Sequence, residues 1–159
     1  AVAAAAPILL FAFSDSAPPG LTGAPGDSGT CTQCHGGGVN SGAGSLEIEA
    51  TDYLPGQSQT VRVRISDPNQ MRWGFSLSAR RKSDQLRQAG TFTAGRFTVV
   101  ETISGIQYAS HFPAQQTARG AGFVYELTWT APDDSSGVVF YASGNAANGN
   151  GASSGDNIY

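Results

Sequence analysis

The sequence predicts an all-β chain, an immunoglobulin-like antiparallel β-sandwich of about seven strands. Three observations predict it. Between Ser45 and Gly144 apolar residues recur every second position, the pattern of strands with one buried face. Gly, Pro, Asp and Asn cut that stretch into short runs. No window of helical length shows a 3.6-residue period, so nothing is on hand to cross over between parallel strands.

In chain order, Leu46, Ile48 and Ala50 alternate with Glu47 and Glu49, and a Pro55-Gly56 turn follows. Val61, Val63 and Ile65 alternate with Arg62 and Arg64; Trp73, Phe75, Leu77 and Ala79 alternate with Gly74, Ser76 and Ser78. Weaker runs occupy 90–94, 96–103 and 106–110. Phe123, Tyr125, Leu127 and Trp129 form the next stripe, and Val138 to Ala142 the last. These stripes read as core and carry no chemistry. Both cysteines precede the sandwich, so an inter-sheet disulfide is excluded.

The flanks differ in material. Residues 1–13, AVAAAAPILLFAF, form an arm without charge or side-chain hydrogen-bonding groups. It resembles the apolar part of a secretory signal but lacks the Lys/Arg region, and it is short of the ~20 residues that span a bilayer. A segment of this polarity is expected to bury itself, either on its own domain or against another copy of the chain. Residues 14–44 are a Gly/Pro/Ser/Thr loop, long enough to suggest function. The tail, 145–159, is Gly/Asn-rich; one carboxylate among Asn145, Asn148, Asn150 and Asp156 does not make a calcium loop, and it reads as plain loop.

Composition narrows the function. The chain of 159 residues has a net charge of −3 and 13% charged residues, against roughly 25% in an ordinary domain, so nucleic acid is an unsuitable partner. It holds 2 Cys, 2 His and 1 Met, few enough to account for singly. Cys31, Cys34 and His35 lie in CTQCH, the C-x-x-C-H pattern of c-type haem attachment. Two thiols at this spacing can each bond one vinyl-derived carbon of a porphyrin edge, and the adjacent imidazole can turn beneath the ring as an axial iron ligand. Glycines at 36–38 let the backbone leave the haem plane. This makes 14–44 a haem-attachment loop carrying one covalent haem c.

Other uses of the pair fit less well. A thioredoxin-type dithiol belongs at a helix N-terminus in a βαβ unit. A disulfide across CxxC closes a tiny loop and adds little stability. Zinc on Cys31, Cys34 and His111 does not match finger spacing. For the second axial position the candidates are His111, in QYASHFPAQQ, and Met71, which reads as a packing residue at a strand start. His111 is the better one. With both positions filled the iron transfers electrons and performs no chemistry on a substrate. No histidine then remains as a general base, Asp133-Asp134 is a turn, and no enzyme is expected.

The stretches FSDSAPPGLTGAPGDSGTCTQCHGG (13–37), RWGFSLSAR (72–80) and GNAANGNGASSGDNIY (144–159) resemble the bacterial exported choice-of-anchor V domain family, which is related to Reeler-like β-sandwiches. The resemblance implies an exported, surface-associated sandwich with one CxxCH site near its N-terminus, and supports Cys31, Cys34 and His35 as the haem site. Such proteins can carry a C-terminal anchoring signal, whereas this sequence ends at Tyr159.

The sequence therefore predicts an exported monohaem c-type cytochrome, extracellular, at the cell surface or periplasmic. Its expected role is extracellular electron transfer, as the repeating subunit of a homo-oligomer or filament held by the 1–13 arm, without a membrane span and with the redox partner unspecified. The rival from another class is a structural or adhesive surface sandwich whose CxxC is a staple.

Overall fold

Alternation becomes architecture through burial of one face per strand, and the computed structural model, which describes residues 14–159, shows eleven strands doing so. In chain order these are β1 (Ser45–Glu49), β2 (Ser58–Ser66), β3 (Arg72–Arg81), β4 (Asp84–Gln88), β5 (Thr91–Thr93), β6 (Thr98–Ile103), β7 (Ile106–His111), β8 (Gln115–Gln116), β9 (Phe123–Thr130), β10 (Val138–Ala147) and β11 (Asn157–Ile158). One sheet has the order β1-β2-β9-β5 and the other β11-β10-β3-β7-β6, with β4 and β8 also pairing β3. All named strand pairs are antiparallel. The predicted all-β sandwich is the observed one. The additional short strands are those without an apolar stripe: Asp84–Gln88 is DQLRQ, and β8 and β11 have two residues each. The last long strand continues past Ala142 to Ala147, because its ladder with β3 runs on to Ala147↔Arg72.

The two inner faces meet through the predicted stripes. Val61, Val63, Ile65, Tyr125, Leu127 and Trp129 of the smaller sheet pack on Trp73, Phe75, Leu77, Ala79 and Ala109 of the larger, all buried. Rings bridge the layers at centroid separations of 4.6 Å for Phe75–Tyr125 and 5.1 Å for Trp129–Phe140. Offset aromatic pairs of this kind add about 0.5–1.5 kcal/mol each beyond the area they bury. The polar atoms this stripe carries inward are satisfied: the Tyr125 hydroxyl donates to the Trp73 carbonyl at 2.7 Å and the Trp129 indole N–H to the Ala89 carbonyl at 3.1 Å.

β3 has a second buried face. From Trp73 to Arg80 every residue is buried, so Gly74, Ser76, Ser78 and Arg80 are covered as fully as the core side. The N-terminal loop does the covering. Ala17, Leu21 and Ala24 are buried, the Thr22 and Ser78 hydroxyls lie 2.9 Å apart, and the Asp27 carboxylate accepts from the Arg80 guanidinium at 2.7 Å. Tyr108 also donates to Asp27, at 2.8 Å. A segment of loop composition is thus a third layer on the larger sheet. The predicted 1–13 arm lies outside the described residues. Among the described residues no helix is long and apolar enough to cross a membrane.

Candidate functional site

The site begins with a turn. Thr30 caps a short 3₁₀ segment, Cys31–Gln33, its side chain accepting from the Thr32 amide. The amides of Cys34 and His35 both donate to the Cys31 carbonyl, at 3.3 and 3.1 Å. Positions i, i+3 and i+4 of a helical turn share a side, which groups Cys31, Cys34 and His35. The turn is fixed to the sheet by the Cys31 amide, which donates to the Ser143 hydroxyl at 3.1 Å.

Facing the turn is a cleft open to solvent on one side. Its wall comes from three parts of the chain: the N-terminal loop with Ala17, Leu21, Cys31, Cys34 and His35; the start of β3 with Arg72, Trp73, Gly74 and Phe75; and the far ends of β7 and β10 with His111, Asn145 and Ala147. The loop 149–152 and Asp156 close it. All four residues singled out by the sequence line this one cleft. Met71 is not among its lining residues and packs against Gly149.

His35 is held by a partner that sequence reasoning missed. Its Nδ1 lies 2.7 Å from Asp156 Oδ2, and the Asp156 side chain is 1% exposed. The Asn145 amide nitrogen sits 3.2 Å from His35 Nε2, and Asn145 Oδ1 is a buried acceptor without a hydrogen-bond partner. Asp156 read as tail loop because its partner is 121 positions away, and no local spacing announces such a pair.

His111 ends β7 and is 5% exposed. The β3–β7 ladder ends at Ser76↔Ser110, and where the next pairing would fall the Phe75 amide donates to His111 Nδ1 at 3.0 Å. The Phe75 carbonyl lies 3.2 Å from the same nitrogen. The imidazole also needs Gly74: a Cβ there would stand 2.8 Å from His111 Cε1 and 3.0 Å from Nδ1. An isolated glycine inside a strand is the signal for such close approach, and the sequence offered it.

The donor set selects among cofactors. Both thiols are free of disulfide. Burial pushes the Cys31 thiol up to about 11, with the Ser143 hydrogen bond opposing, the reverse of an activated dithiol. Among the described residues no group of three or more His, Cys, Asp or Glu side chains converges as a metal-ion site, which leaves the zinc reading without its ligands. A haem iron takes four ligands from its porphyrin, so two thiols and two imidazoles on an apolar-walled cleft fit it.

No family model matches the chain, and no curated protein matches it. Among solved structures it is similar to the reeler domain of human F-spondin in two crystal structures. The first has TM-score 0.47 and 25% identity, covering 67% of this chain and 79% of the other; the second has 0.45 and 26%, covering 66% and 81%. The Reelin-N domain of F-spondin follows at TM-score 0.44 and 25% identity, covering 71% and 79%.

Proposed function

We propose that this chain is a monohaem c-type cytochrome domain that transfers electrons. One observation carries the reading: Cys31, Cys34 and His35, far in sequence from His111, line the same apolar-walled cleft. Cys31 and Cys34 would hold the haem by thioethers, and His35 and His111 would ligate its iron. Haem held there would supply a one-electron iron couple.

The chain's own residues do the rest. Asp156 fixes the His35 ring. Gly74 leaves room for His111; for its Nε2 to ligate, Nδ1, which accepts from the Phe75 amide at 3.0 Å, would have to take the proton and donate instead to the Phe75 carbonyl 3.2 Å away. Ala17, Leu21 and Ala147 keep water from the cleft wall. The Asn145 amide gives up its contact with His35 Nε2 on loading. An exported protein at the cell surface suits covalent haem on a two-cysteine chain. The 1–13 arm suits strand addition to a neighbour's sheet edge, a head-to-tail contact that builds filaments.

The test is the purified protein from a host that attaches haem c. Haem absorbance is expected, with a mass one haem above the polypeptide that survives denaturation and is lost in C31S/C34S. A protein without either signal under those conditions is a structural sandwich, and the cytochrome reading fails.

A further inference from the structure

Asp156 is a buried carboxylate whose one ion-pair partner among the described residues is an imidazole. Its Oδ2 faces His35 Nδ1 at 2.7 Å, while Oδ1 accepts the Asn148 amide at 3.3 Å. A carboxylate withdrawn from water is tolerable only when such donors replace the water, so the Nδ1 of His35 carries its proton toward Asp156. The lone pair is then on Nε2; the Asn145 amide nitrogen lies beside both ring nitrogens, 3.1 Å from Nδ1 and 3.2 Å from Nε2. The hydrogen bonds converge on Asp156, which accepts from Asn148 on one oxygen and from His35 on the other, and the Asn145 amide sits beside the ring.

We propose that Asp156 is the positioning residue of the iron site: it selects the His35 tautomer that presents Nε2 and, through the imidazole, holds the iron couple at a lower potential. This rests on the haem reading. Carboxylate partners of metal-bound histidines raise ligand basicity, and losing one typically costs 10–100-fold in metal affinity or activity. A negative charge passed to the ring favours ferric over ferrous iron. Removing it weakens that preference, and a tenfold weakening in a one-electron couple reads as a rise of about 59 mV.

Two variants and two readouts separate the roles. Asp156→Asn keeps an oxygen that can accept from Nδ1 but loses the charge; Asp156→Ala loses both. In the haem-loaded protein, spectroelectrochemistry should give a midpoint potential higher in Asp156→Asn by the tenfold step or more, with low-spin ligation retained. Coincident potentials in wild type and Asp156→Asn overturn the proposal. In the unloaded full chain, nitrogen-15 NMR should show His35 protonated at Nδ1 in wild type and Asp156→Asn, and shifted toward the Nε2-protonated form in Asp156→Ala. A wild-type ring protonated at Nε2 also overturns it. A chain that takes up no haem fails the haem reading at the mass spectrum, while the tautomer measurement still reads Asp156 by itself.

Discussion

At the scale of single residues, the site depends on what is left out as much as on what is present. Gly74 sits in the most buried strand, with its side-chain position taken by the His111 ring. Gly74→Ala places a methyl carbon 2.8–3.3 Å from three ring atoms, closer than such atoms pack, and a ring at a strand end can yield by swinging away. The expected outcome is a cost of about 1–3 kcal/mol in the urea melt. The haem-loaded variant should keep its thioether mass but pass from a low-spin to a high-spin spectrum, as His111→Ala should. A low-spin spectrum unchanged in both variants would show that His111 is not the sixth ligand. The CxxCH triplet was legible because its chemistry is local: three residues in five positions, grouped by one turn. His111 was reachable by elimination in a chain with 2 His. Asp156 and Asn145 were not, since their meaning arises only when β10 and the tail fold back on residue 35.

At the scale of elements, the N-terminal loop behaves as a layer, and the buried Arg80–Asp27 pair is its fastening. The side chains are 2% and 0% exposed. Asp27 Oδ2 also accepts from the Thr22 amide and hydroxyl, at 3.0 and 2.6 Å, so one carboxylate ties the loop to itself and to β3. Removing one partner of a buried pair strands the other charge, at about 3–5 kcal/mol. Asp27→Ala should therefore lower stability by that amount in a denaturant melt and open the 14–30 segment to proteolysis before the sandwich unfolds. Asp27→Ala combined with Arg80→Met should recover part of the loss, since no charge is then left unpaired. A cost below about 1 kcal/mol for Asp27→Ala would mean the loop is held by Leu21, Ala17 and Ala24 instead. Period-two alternation made the long strands legible. It misled on the 14–44 loop, where Pro and Gly concealed a docked segment, because Asp27 and Arg80 are 53 positions apart and neither is apolar. It also missed β4, which pairs along the edge of β3 without an apolar stripe to announce it.

At the scale of the whole molecule, the cleft residues gather at one end of the larger sheet. Arg72 to Phe75 begin β3, Asn145 and Ala147 finish β10 and His111 finishes β7, so antiparallel pairing brings these cleft residues to the same end of the larger sheet. Ser14, where the arm joins, also lines the cleft, and its carbonyl accepts from the Ala114 amide at 2.9 Å. The proposed assembly through the 1–13 arm would meet little like-charge repulsion between copies at a net −3. Deleting residues 1–13 should leave monomers by light scattering and sedimentation, with haem mass and spectrum intact because the described site holds none of those residues. Mixing full-length protein with the truncated form should then cap growth, because a copy without an arm accepts a neighbour but cannot donate. Polymers that persist in the truncated protein would place self-assembly on another surface, and a truncated protein that does not shorten full-length assemblies would reject the head-to-tail contact.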